Sequence, residues 1–126
     1  MVRQTEQLNI AEHVTFLGQR NDVNALYQAM DVMLLPSFHE GFPVTLVEAQ
    51  SSGLPCIVSD RVTKETDVVG ITDYLSIDGG NKDWVDSLLR IQSHPNHNRQ
   101  DYSSLMKKER YDLDSVCSDF MSFISR

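Results

Sequence analysis

Short runs of β-branched and other apolar residues alternate along this chain with stretches of helical spacing, and that alternation restricts the fold more than any other feature. Val14-Thr15-Phe16-Leu17 is the first apolar run, closed by Gly18. Val23, Leu26, Tyr27 and Met30 then recur at offsets of three, four and seven, the apolar face of an amphipathic helix, with Asp22 placed to cap its start. Val32-Met33-Leu34-Leu35 follows, ended by Pro36 and short enough for a strand buried on both faces. Pro43 opens the next segment, Gly53 stands just past its end and Pro55 lies beyond, the boundaries of a helix. Cys56-Ile57-Val58-Ser59 is again a buried strand pattern. Strands separated by helices cannot pair as tight hairpins and must return by crossovers. The fold class predicted is therefore α/β, a Rossmann-like parallel sheet of about four strands with helices on both faces and right-handed crossovers.

The second half continues the pattern less clearly. Val68 to Leu75 carries a weaker strand signal interrupted by Gly70, Asp78-Gly79-Gly80-Asn81 is a turn cluster, and Trp84, Leu88 and Ile91 mark a further helix. From Ser93 to Ser104 the composition is polar and aperiodic, so residues 93–110 are expected to form a polar connection. Residues 111–126 carry Leu113, Val116, Cys117, Phe120, Phe123 and Ile124 on one stripe, the pattern of a terminal helix. Residues 1–126 read as one domain.

Charge excludes some partners. With 11 Lys plus Arg against 18 Asp plus Glu, the formal net charge is −7, which disfavours a broad grip on nucleic acid or an anionic membrane surface. The two cysteines, Cys56 and Cys117, are far apart and outside any zinc-type spacing, so no metal site is predicted. His94 and His97 have Pro95 between them and no cluster around them, and His39 is a lone loop histidine. Both read as solvated. With no stretch of about 18 apolar residues, the chain is expected to be cytoplasmic with reduced thiols.

The segment that carries chemistry lies between the second apolar run and the helix after it, where an open parallel sheet places its ligands. Gly41 permits a tight or left-handed turn, and the amides of Val44, Thr45 and Leu46 in the first helical turn can face an anion, favoured by the helix dipole. Pro43 removes one donor from this cradle but suits the first helical position. Glu40 precedes the turn and Glu48 lies about one helical turn beyond Val44. A carboxylate accepts two hydrogen bonds well from a vicinal diol, and phosphates flanked by two polyols describe a nucleotide sugar.

Glu40, seven residues and Glu48, followed by Ala49-Gln50-Ser51-Ser52-Gly53-Leu54-Pro55-Cys56-Ile57-Val58-Ser59, resembles the signature of retaining glycosyltransferases of the type-B fold, the glycosyl transferases group 1. Phe16-Leu17-Gly18, Leu26-Tyr27, Asp31-Val32 and Leu35-Pro36-Ser37 fit the same pattern, so the likeness covers roughly residues 14 to 65, nearest to the bacterial polysaccharide-building subgroup. The resemblance implies that Glu40 contacts the transferred sugar as the catalytic carboxylate and that Glu48 binds the ribose. It implies that the backbone of Gly41, Phe42, Val44 and Thr45 holds sugar and diphosphate, and that Gly18 and Arg20 lie beside the base. The donor would be a UDP-sugar or GDP-sugar, with no cofactor and no metal, the diphosphate being stabilised by amides and basic side chains.

The resemblance further implies a hexosyltransferase with retention, acting on a polysaccharide or lipid-linked acceptor. Residues 1–126 would then be its donor-binding domain, incomplete at the N-terminal end, with the acceptor-binding half as partner and peripheral association of the whole enzyme with the inner membrane face. The chain alone is expected to be inactive, and an exposed sheet edge is expected to favour a homodimer. Two alternatives stand beside this reading: a nucleotide-sugar epimerase of the same architecture, and a non-catalytic Rossmann-like or receiver-like binding module. The receiver pattern lacks its acidic pair, since the first run ends in Gly18-Gln19-Arg20 and the third in Ser59-Asp60. Phe16, Phe42, Tyr27 and Trp84 read as core or cradle packing, and Lys64 and Glu65 read equally as donor contacts or as loop charges.

Overall fold

The computed structural model describes residues 2–94, 99–109 and 111. Along the chain come α1 (Val2–Gln7), a 3-10 turn (Ala11–His13), α2 (Val23–Ala29), β1 (Met33–Leu35), α3 (Val44–Ser51), β2 (Cys56–Ser59), a second 3-10 turn (Lys64–Thr66), β3 (Thr72–Leu75), α4 (Lys82–Ser93) and α5 (Ser103–Lys108). The sheet has three strands in the order β1-β2-β3, all parallel. Met33 stands opposite Cys56, and Cys56 opposite Thr72, which fixes the register. The α/β class holds.

Successive residues of a strand face opposite sides of the sheet. Met33, Leu35, Cys56, Val58 and Tyr74 point to one side and pack with Leu46 and Ala49 of α3 and Tyr27 of α2 in the main core. Asp73 points the other way, where Ser87 of α4 donates to its carboxylate at 2.5 Å and Arg90 of α4 pairs with it. Helices thus cover both faces. β2 is the central strand and is buried throughout, which is why its sequence is a continuous apolar run without alternation.

Four expectations are corrected. Val14-Thr15-Phe16-Leu17 is not a strand, and Phe16 and Leu17 are exposed, because no neighbouring strand among the described residues takes up its backbone groups. Among the described residues the sheet therefore has three strands where about four were expected. Val32 to Leu35 is not buried on both faces: β1 is an edge strand and Leu34 is 46% exposed. Asp22 precedes α2 but does not cap it, since its carboxylate takes two hydrogen bonds from Arg20. The fourth apolar signal, from Val68, becomes a strand only after Gly70, whose φ of 75° turns the chain into β3.

The polar stretch 93–110 is not simply a connection, because α5 forms within it and buries Met106. Tyr111 lies outside any helix, and the rest of the terminal helix expected over 111–126 falls outside the described residues. α5 is anchored where α3 ends. Tyr102 N–H donates to Ser51 C=O at 3.0 Å, and the Gln100 backbone crosses so close to Gly53 that a Cβ there would stand 2.4 Å from the Gln100 carbonyl oxygen. Gly53 also has φ 67°, the left-handed conformation that ends α3.

Gly53→Ala is therefore expected to cost at least about 2 kcal/mol of unfolding free energy, from left-handed strain together with a backbone clash. Urea denaturation of the parent and the variant measures it, and a change below about 0.5 kcal/mol would contradict the packing of Gln100 on Gly53.

Candidate functional site: the mouth of helix α3

β1 delivers the chain to the C-terminal edge of the sheet, and residues 36–43 turn it into α3. The helix is held from beneath by Leu46, Val47, Ala49 and Gln50, all buried, so its first turn is fixed in direction. Pro43 stands at the cap position with φ −76° and ψ 96°, and no side chain caps the end. Leu46 N–H donates to Pro43 C=O at 3.0 Å. This narrows the expected anion cradle from three amides to two, those of Val44 and Thr45, for which no hydrogen-bond partner is recorded among the described residues. Both residues are exposed, whereas Leu46 is fully buried. Unpaired amides at a helix N-terminus face the positive end of its dipole outward, which suits a phosphate oxygen.

Two carboxylates flank this mouth, and each is held through one oxygen. Glu40 is half-buried, its backbone bridges in parallel to Val62 from the loop after β2, and Ser37 Oγ donates to its Oε1 at 3.0 Å. Glu48 sits one turn into α3, where the Tyr27 hydroxyl of α2 donates to its Oε2 at 3.2 Å. Glu40 Oε2 and Glu48 Oε1 carry no recorded partner among the described residues, so each carboxylate keeps an acceptor for a hydroxyl donor. Tyr27 is buried at 6% exposure. Burial, reinforced by the charge of Glu48, pushes its phenol up to about 12, so it remains a donor at neutral pH.

Gly41 does not adopt a left-handed conformation. It is exposed, and a Cβ built on it would meet nothing within 4 Å among the described residues beyond its chain neighbours. Phe42 is half exposed and stacks nearly parallel on Tyr111, with ring centroids 6.0 Å apart and 10° between planes. The Tyr111 hydroxyl donates to Glu65 C=O at 3.0 Å, and Lys64 lies over the Tyr74 ring at 5.6 Å.

Gly18 and Arg20 are not brought to this mouth by any recorded hydrogen bond among the described residues. Gly18 turns with φ 64°, and Arg20 binds Asp22 in two-point contact at 2.7 and 2.5 Å, holding that carboxyl below its usual range. Phe16 is exposed, not core. Trp84 is half-buried and donates to Ser76 C=O at 3.0 Å. His39 and His94 are exposed, as expected, and His97 lies outside the described residues. Cys56 is buried at the start of β2, where burial pushes its thiol up to about 12 and keeps it neutral.

The sequence pattern missed the roles of Tyr27, Ser37, Val62 and Tyr111. Periodicity identified Tyr27 only as an apolar-face residue, and its hydroxyl partner is 21 positions away. A cavity of about 870 Å³ opens at the other end of the sheet, lined by Val32, Cys56, Thr72, Leu88, Arg90 and Arg99. Its two guanidinium groups are already committed, Arg90 to Asp73 and Arg99 to Tyr27 C=O at 2.8 Å, so it offers no free cation from either of them. Among the described residues, no group of three or more His, Cys, Asp or Glu could hold a metal ion, and no helix is long and apolar enough to cross a membrane.

The sequence profile of the glycosyl transferases group 1 matches residues 1–106. The chain belongs to that family. Among the group 1 relatives, EpsF of Bacillus subtilis (strain 168), a glycosyltransferase by name, is 34% identical over 110 residues, which are 86% of this chain and 29% of that protein. The Escherichia coli UDP-Gal:alpha-D-GlcNAc-diphosphoundecaprenol alpha-1,3-galactosyltransferase is 49% identical over 53 residues, 42% of this chain and 14% of that enzyme. The lipopolysaccharide 1,6-galactosyltransferase of Salmonella typhimurium (strain LT2) is 34% identical over 95 residues, 71% of this chain and 26% of the enzyme. The chain spans less than a third of the length of each of these relatives. No solved structure matches it.

The Tyr27–Glu48 contact has a pH signature. The phenol is raised from 10.0 to about 12 in the folded chain, so its stabilising effect is complete below pH 10 and disappears as pH rises through 12. The difference in phenolate absorbance between the parent and Tyr27→Phe should titrate near 12, and should move down in Glu48→Gln; a midpoint near 10 in the folded parent would contradict the contact.

Proposed function

We propose that the mouth of α3 binds the donor of a hexosyl transfer, a nucleotide diphosphate sugar of the UDP or GDP type. The Val44 and Thr45 amides receive the diphosphate, with Gly41 and Phe42 contributing backbone and open space beside it. Glu48 takes the ribose diol on its free oxygen. Glu40 faces the hydroxyls of the sugar to be transferred, next to the carbon at which the bond breaks. The observation that carries this reading is the pairing of an uncapped helix start with two carboxylates, each held by one oxygen and open at the other.

The reaction proceeds with retention in this reading. The bond between the sugar and the diphosphate breaks, the leaving diphosphate oxygen takes the proton of the acceptor hydroxyl, and the new bond forms on the face the diphosphate has left. What this chain does in that sequence is bind and orient: the helix dipole stabilises the charge that develops on the diphosphate, and preorganised amides require no reorganisation as it forms. Several relatives are transferases by name, some with diphosphoundecaprenol-linked or lipopolysaccharide acceptors, which supports transfer to such an acceptor over epimerisation. Because the chain spans less than a third of those relatives, the rest of the enzyme is the expected partner and supplies the acceptor site. Binding, not turnover, is therefore the property to test.

Titration of the chain with UDP-sugars and GDP-sugars, followed by amide NMR, should shift resonances between Gly41 and Glu48 at millimolar ligand or below. Glu48→Ala should weaken the better donor at least about tenfold, the worth of a single charge-assisted hydrogen bond. Shifts confined to other regions, or equal affinity in Glu48→Ala, would overturn the assignment.

A further inference from the structure

Two loops form the walls of the α3 mouth, the turn over residues 36–43 and the loop over residues 60–66. They meet through the backbone bridge between Glu40 and Val62. A third segment touches both. From Gln100, packed on Gly53 at the far end of α3, the chain runs along that helix as α5 with Met106 buried at 4% exposure. It then arrives at the mouth with Tyr111. The Tyr111 N–H donates to Met106 C=O at 2.8 Å, which fixes the residue to the end of α5. Its ring lies on Phe42 of the first loop, and its hydroxyl holds the Glu65 carbonyl of the second.

The turn needs such a brace. Gly41 is exposed and unconstrained by any neighbour, Phe42 is half exposed, and Ser37 to Glu40 is the one side-chain hydrogen bond recorded within the turn among the described residues. A loop that must be ordered by its ligand pays that conformational entropy out of the affinity, whereas a loop already ordered does not. Tyr111 is half-buried and lies outside the hydrophobic core cluster, so its contacts bear on the mouth more than on global stability.

We propose that Tyr111 is a positioning residue of the donor site, preorganising the Gly41–Phe42 backbone and the adjoining Glu40 for a nucleoside diphosphate by bracing Phe42 against the Glu65 loop. The inference rests on the function proposed above and adds a residue from beyond the Glu-to-Glu segment. It acts through Phe42 and not by touching the ligand, so the two side chains must be energetically coupled.

The test is NMR titration of the full chain with UDP and, in parallel, GDP, for the parent, Tyr111→Ala, Tyr111→Phe, Phe42→Ala, the Tyr111→Ala/Phe42→Ala double variant and Glu48→Ala, each with a thermal melt. Tyr111→Ala should weaken binding of the preferred nucleotide by about three- to tenfold, the range of a lost aromatic pair, with the melting midpoint nearly unchanged. Tyr111→Phe keeps the stack but loses the hydroxyl's hold on Glu65 C=O, so it should recover only part of that loss. In the Phe42→Ala background, Tyr111→Ala should add little further loss. Parental affinity in Tyr111→Ala, independent losses in the double variant, or a loss of affinity that merely follows a lowered melting midpoint would overturn the inference. If Glu48→Ala weakens binding while Tyr111→Ala does not, the inference alone fails. If the parent binds neither nucleotide, or Glu48→Ala binds like the parent, the donor-site reading fails and takes the inference with it.

Discussion

The arrangement depends on one buried amide. Gln50 has no solvent exposure, and its side chain satisfies three backbone groups of the chain between β2 and β3: Nε2 donates to Thr66 C=O at 2.6 Å, and Oε1 accepts from Val68 N–H at 3.0 Å and Val69 N–H at 3.2 Å. An apolar residue of the same size would fill the space and leave those three groups unpaired, each costing on the order of 1–3 kcal/mol. The amide therefore locks α3 to a segment that has no strand ladder of its own. That segment in turn supplies Val62 to Glu40 and the Glu65 carbonyl to Tyr111. Both walls of the α3 mouth are thus referred to the same helix.

Around that lock the site is made mostly of backbone. Leu46 and Ala49 are fully buried against β1 and β2, so the helix start points in one direction, and its exposed amides point with it. The carboxylates are not left to find their own rotamers. Glu40 is held from the turn by Ser37, and Glu48 is held from α2 by a phenol that burial keeps protonated. Ordering two long acidic side chains before a ligand arrives removes entropy that binding would otherwise have to supply.

The elements legible in the sequence are those whose pattern is enforced by burial. β2 is buried throughout and reads as a strand; α2, α3 and α4 carry apolar faces or clear boundaries and read as helices. Val14 to Leu17 has the same local pattern as β1, yet a strand exists only where a partner accepts its hydrogen bonds, and the residues alone do not encode the partner. α5 was illegible because its six residues have no stripe of their own; Met106 finds its burial against α3 only after the chain has crossed Gly53. At the site, the Glu40 and Glu48 spacing and the helix start were readable. The donor that holds Glu48 and the arrival of Tyr111 at Phe42 are tertiary facts that no local pattern carries.

The central claim is that the open space at Gly41 belongs to a ligand. Adding a single methyl group there isolates it, since the residue has no left-handed conformation to lose and, its chain neighbours aside, a Cβ meets no atom of the described residues within 4 Å. Comparing the UDP and GDP affinities of the parent and Gly41→Ala, with unfolding curves for both, tests it directly. The account predicts that the alanine variant is as stable as the parent to within about 0.5 kcal/mol and binds the preferred nucleotide at least about tenfold more weakly. Equal affinity at equal stability would contradict it.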